Sequence, residues 1–167
     1  RSLHADRKRL AVVDYAGAKP TEVDVQGLLV LATLLADRLK KATSAKRVGI
    51  VLPPGVGGVV ANLAVVFADK VPVNLNFSLG RAAVESSIQR AGIDLLLSAE
   101  KVRAKLKDFP WIPGYLDVGT ALEEIRGSKL RLMHRALVLA LPCGLASTLL
   151  NISRKGGDSE AGLLFTS

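Results

Sequence analysis

Residues 48–97 constrain the fold most, because short apolar runs ending in turn residues alternate there with longer stretches of helical period, the pattern of a layered α/β domain. VGIVL at 48–52 predicts a strand, the glycine-rich turn after Pro53 and Pro54 follows, and 57–68 predicts a buried helix of small apolar residues. VPVNL at 71–75 predicts the next strand, 81–90 a helix capped by Ser78 and terminated by Gly92, and 94–97 a third strand. Strands joined in succession through helices are expected to lie parallel in one sheet. The uncharged stretch 48–68 is long enough for a membrane span, but Pro53 and Pro54 interrupt it, so strand, turn and helix is the economical reading.

The flanks extend the alternation. Residues 10–15 predict a short strand, and Thr21-Glu22-Val23-Asp24 has capping-box spacing for a helix to Lys41, with Leu28, Leu31, Leu35 and Leu39 on one face. Ser98 is expected to cap a helix to Lys107, 115–118 to form a strand, and Thr120-Ala121-Leu122-Glu123 to open a helix ending near Gly127. The apolar stretch 136–150, broken by Pro142 and Gly144, leaves open a buried helix pair, an interfacial segment or a partner-binding surface. Residues 153–160 read as a polar loop into AGLLF at 161–165, a strand that runs into Thr166 and Ser167. An apolar strand ending in hydroxyl residues suits a buried parallel strand whose carboxyl end opens into a ligand loop.

Composition narrows the chemistry. A chain of 167 residues fits one domain and can bury about 70% of its unfolded surface. With 4% aromatic residues it lacks the stacking platforms of single-strand nucleic-acid readers, so no nucleic-acid partner is expected. One cysteine, Cys143, excludes an internal disulfide and reads as an inert thiol, since His4 and His134 have no triad-like context. One Cys and two distant His supply no metal set. Paired catalytic carboxylates are also lacking: Glu123 and Glu124 take different helix faces, and Asp158 and Glu160 lie in a solvated loop. The net charge of +8 is scattered in short clusters that read as solvated faces, with a basic docking face for an acidic partner as the alternative. The turn Pro54-Gly55-Val56-Gly57-Gly58 fails both familiar phosphate-loop spacings, and its glycines read as permitting a tight turn and close helix packing. Asn74 and Asn76 either face a ligand crevice or cap local backbone, and the second reading is preferred.

Two stretches carry a family resemblance. AGLLFTS at 161–167, and RVGIVLPPGVGGVVANLAVVFADKVPVNLNFSLGRAAVESSIQRAGIDLLLS at 47–98, resemble the AMP-forming adenylating enzymes: acyl-CoA synthetases, luciferases and adenylation domains. VPVNLNF and GRAAVES are most similar to bacterial acyl-acyl-carrier-protein synthetases, which are often fused to a 2-acylglycerophosphoethanolamine acyltransferase. Residues 101–159 lie outside the resemblance.

What the resemblance implies is an α/β fold, a layered parallel sheet with flanking helices, forming an incomplete N-terminal domain over 1–167 that stops just before the phosphate-binding loop. It implies an ATP- and Mg-dependent ligase that forms an acyl-adenylate and then a thioester, with a fatty acid and an acyl carrier protein or CoA as partners. Thr166 and Ser167 match the first two positions of that loop and are the only cofactor-binding residues carried over; no catalytic residue is. The chain alone is expected to be inactive and to bind no ATP or Mg, and the whole protein to be cytoplasmic, with peripheral membrane association open. Two other classes stay open: a non-catalytic α/β interaction module whose basic face holds an acidic or lipidic partner, and a Rossmann-type nucleotide-binding protein, disfavoured because no glycine fingerprint is present.

Overall fold

In the computed structural model, residues 6–15, 17, 19–152 and 159–165 are described. Four strands, β3 (Arg47–Ile50), β4 (Val71–Asn74), β5 (Leu96–Ser98) and β6 (Tyr115–Asp117), form one sheet in the order β4-β3-β5-β6. Every pairing in it is parallel, as the crossovers required. A separate antiparallel pair joins β1 (Leu10–Asp14) to β2 (Thr21–Asp24).

Strand alternation divides the core in two. On one face Val48, Ile50, Leu95 and Leu97 pack with α1 (Val25–Ala42), α2 (Val56–Phe67) and α5 (Val118–Gly127). On the other, Val51, Val73, Leu75 and Leu96 pack with Val84 and Ile88 of α3 (Arg81–Ala91), and α4 (Glu100–Lys105) adds Val102. Consecutive side chains of a strand point to opposite faces, so LLL at 95–97 feeds both cores. Gly49 lies under the second face, where a Cβ would stand 2.5 Å from Leu96 Cδ2.

The helix ends depart from the expected caps. Thr21–Asp24 is β2 rather than a capping box, because Thr21 and Glu22 pair with Asp14 and Val13 of β1. Asp24 is itself the cap of α1, its Oδ1 accepting from the Gly27 amide at 2.6 Å. At α3 the N-cap is Gly80, with Ser78 held instead by Asn76; at its far end Gly92 adopts φ 62° as expected. Ser98 closes β5 rather than opening a helix, and α4 ends at Lys105. Likewise α5 begins at Val118, capped by Asp117, so Thr120 lies inside its first turn.

Residues 136–150 do not form a buried pair. They fall in α6 (Lys129–Ala140) and α7 (Cys143–Leu149), in which Val138 and Ala146 are the buried residues. Leu132 is 64% and Leu149 62% exposed. Arg7 Nη1 donates to the carbonyl of Val138 at 2.8 Å and holds the carboxyl end of α6. Among the described residues no helix is long and apolar enough to cross a membrane.

Candidate functional site

Strand order places a switch in the sheet. The step from β3 to β4 runs one way through α2, and the step from β4 to β5 runs back across β3 through α3. With right-handed crossovers, that reversal sends the two helices to opposite faces, as the two cores show. The loops leaving β3 and β5 therefore diverge, and ligand crevices in open α/β sheets form at such a point, outside the strands' carboxyl ends.

Polar side chains gather along this carboxyl edge. Ser98, fully buried, donates its hydroxyl to the Val51 carbonyl at 2.7 Å and pins the ends of β3 and β5 together. Asp14, at the end of β1, accepts from the Val56 amide at 3.0 Å and so closes the amino end of α2. A Cβ on Gly55 would come within 2.5 Å of the same carboxylate, and one on Gly58 within 2.9 Å of the Pro53 carbonyl. The glycines thus serve the tight turn and close packing. Asn74 exchanges hydrogen bonds with Asn62 of α2 at 2.9 and 3.2 Å, whereas Asn76 caps locally, accepting from Ser78. The preferred reading of the asparagines therefore holds for Asn76 and not for Asn74, whose partner is a side chain on the crossover helix.

Asp117 accepts three hydrogen bonds at this edge. It accepts from the Glu100 amide at the start of α4, from the Thr120 amide at 2.6 Å and from the Tyr115 hydroxyl at 3.2 Å. Burial pushes its carboxyl up, but these hydrogen bonds outweigh burial and hold it below the ordinary carboxylate range. Tyr115, desolvated and beside this carboxylate, is pushed up to about 12. The Arg103 guanidinium sits 4.7 Å from the Tyr115 ring centre. An acid at the last position of a strand, immediately before a helix, was the sequence signal for Asp117; Asp14 ends β1 ahead of another strand and carried no such signal.

The terminal segment reaches the same edge. Leu163 forms a parallel bridge to Val73, its amide donating to Pro72 at 3.2 Å along the free side of β4. Residues 161–165 therefore join the sheet as expected, but by one bridge at its rim rather than as a buried strand. Among the described residues only β4 pairs with them, and Leu164 is 75% exposed. Glu160 fastens the start of the segment, receiving Arg47 Nε at 2.9 Å and Nη2 at 3.0 Å with Lys46 Nζ at 3.3 Å. Arg47 holds the Glu160 carboxyl below its usual range. Thr166 and Ser167, the expected phosphate-loop residues, lie outside the described residues.

A triphosphate with magnesium needs cations and free backbone amides. Asp14, Asn62, Asn74, Asn76, Ser98 and Asp117 are neutral or acidic, the cation described beside them, Arg103, lies over the Tyr115 ring, and the helix start beside the glycine turn is filled by Asp14. ATP does not fit these residues by themselves. Among the described residues no group of three or more His, Cys, Asp or Glu side chains could hold a metal ion.

No family model matches the chain, and no curated protein matches it. Solved structures do. A nonribosomal peptide synthetase bound to AMPPNP is similar at TM-score 0.63 and 19% identity, over 73% of this chain and 13% of that one. The O-succinylbenzoate coenzyme A synthetase of Bacillus subtilis, in complex with ATP and magnesium ion, is similar at TM-score 0.59 and 18% identity, over 71% and 31%. A four-domain holo nonribosomal peptide synthetase bound to AMP and glycine gives TM-score 0.58 and 19% identity, over 75% and 9%. The chain has the fold of the N-terminal part of adenylate-forming enzymes, and it spans less than a third of each of these chains.

Proposed function

We propose that the chain is the amino-terminal portion of an AMP-forming acid–thiol ligase, which would join a carboxylic acid to AMP and pass the acyl group to a thiol. The observation that carries this reading is the switched parallel sheet, a fold found in solved synthetases whose bound ligands include ATP, AMPPNP and AMP. The finer assignment, a fatty acid with an acyl carrier protein or coenzyme A as acceptor, rests on VPVNLNF and GRAAVES. In this reading Thr166 and Ser167 open the phosphate loop, and the further cations and free amides that a triphosphate needs come from residues after them.

The test uses the natural gene read past Ser167. Its product should release pyrophosphate when given ATP, magnesium and a fatty acid, and Thr166→Ala should slow that step. The 167-residue chain alone should bind ATP at about millimolar affinity or weaker, roughly −4 kcal/mol. A longer product without fatty-acid-dependent pyrophosphate release sinks the proposal. The alternative, a non-catalytic interaction module, is favoured by one observation: Leu130, Leu132 and Leu139 of α6 and Leu145 and Leu149 of α7 are exposed.

A further inference from the structure

Away from the carboxyl edge, a cavity of about 570 Å³ opens between the β1–β2 pair, α1 and the α5–α6 corner. Four cations line it: Lys8, Arg126, Arg131 and Arg135. Two acids share the lining, Glu22 and Asp24, and Asp24 is already committed to the Gly27 amide, so the lining carries four positive charges against two negative. Among the described residues none of the four cations makes an ion pair. Arg131 and Arg135 stand four apart on α6, a spacing at which like charges repel on one helix face. Arg131 also keeps its Nε buried with no acceptor. A buried donor without a partner is costly, and a ligand oxygen would relieve it.

We propose that this cavity binds a phosphate group carried on an apolar chain. Phosphate offers several acceptor oxygens and matches the guanidinium fork in pairs, so one group serves Arg131 and Arg135 together and relieves their repulsion. Part of the lining is apolar, with Leu10, Val23, Val30 and Leu31 beside the charged residues, and accommodates a hydrocarbon attached to the phosphate. The volume lies within the range of small-molecule sites. This inference does not depend on the ligase reading, since none of these residues belongs to the carboxyl edge.

Calorimetric titration of the chain with octyl phosphate below its micelle concentration tests it, alongside co-sedimentation with phosphatidylcholine vesicles with and without phosphatidic acid. Saturable binding of octyl phosphate, weakened by salt and by about tenfold in Arg131→Gln or Arg135→Gln, supports a site for soluble phosphate esters. Binding only to phosphatidic acid vesicles, lost in the same variants, supports the same site with a lipid headgroup as source. Arg38→Gln, which removes a cation paired with Glu124 outside the cavity, should change neither. Far-ultraviolet dichroism shows that the variants are folded. The proposal is overturned if neither probe binds, or if Arg38→Gln weakens binding as much as Arg131→Gln does.

Discussion

Asp14 Oδ2 accepts a hydrogen bond from the Val56 amide at 3.0 Å, so an acid from the β1–β2 pair closes the amino end of the helix that follows the glycine-rich turn. A carboxylate there is favoured by the helix dipole, and it occupies the place where a phosphate would otherwise sit. The turn between β3 and α2 is thereby structural, and phosphate chemistry must be sought elsewhere on the chain.

Removing that cap by Asp14→Ala should destabilise the fold by about 1 kcal/mol in urea denaturation. Gly55→Ala should cost more, because Gly55 has φ 146° and an added methyl would press on Asp14 at 2.5 Å. In the double variant the methyl meets less, so the two losses should sum to more than the measured total. Strict additivity would mean that the Asp14–Gly55 approach carries no energy.

Asp117 opens two helices at once. Asp117→Ala should lose roughly 1–2 kcal/mol for each cap, whereas Asp117→Asn, still able to accept, should lose less. The folded carboxyl titrates below its unfolded value of about 3.9, so on acidification the unfolded chain takes the proton first. The charge contribution is therefore complete above about pH 5 and falls away as pH drops below about 4. Asp117→Asn should flatten that acid limb of the stability profile; an unchanged limb would contradict the assignment.

Arg47 is the clasp of the terminal segment. Arg47→Ala removes both hydrogen bonds to Glu160 and should raise hydrogen exchange at the Leu163 amide, which donates to Pro72, while amides of β3 and β5 keep their protection. Unaltered exchange at Leu163 would show that the bridge to β4 holds the segment without the ion pair.

The centre of the sheet tolerates neither more nor less volume. Leu97, fully buried, should cost about 2–5 kcal/mol as Leu97→Ala. Gly49→Ala should cost about 1–3 kcal/mol by overpacking against Leu96, Ile93 and Leu75. A stable Gly49→Ala protein with unchanged midpoint would mean that Leu96 can swing aside freely.

Much of the fold was legible in the chain. VGIVL, VPVNL and the 94–97 run each yielded a strand within two residues of the expected bounds, and their parallel pairing followed from the helices between them. Three of the four expected caps differ from the observed helix starts for one reason, Ser78 being the exception, held by Asn76. Thr21, Ser98 and Thr120 are all good cap residues by local chemistry, but each lies in or beside a strand whose last acid, or whose pairing across the sheet, took precedence. The candidate site was less legible, because its members, Asp14, Asn62, Ser98 and Asp117, are scattered over a hundred residues and converge only once the sheet is assembled.

Period, turn chemistry and the placement of Gly and Pro were enough to declare a parallel α/β sheet, since these are properties of neighbours along the chain. Which strand stands beside which could not be read that way. The order β4-β3-β5-β6, the switch point it creates, the Arg47–Glu160 clasp across 113 positions and the basic cavity under α6 depend on which apolar faces bury each other best. That choice is made by the whole core at once, because hydrophobic burial is non-directional and carries no record of sequence distance.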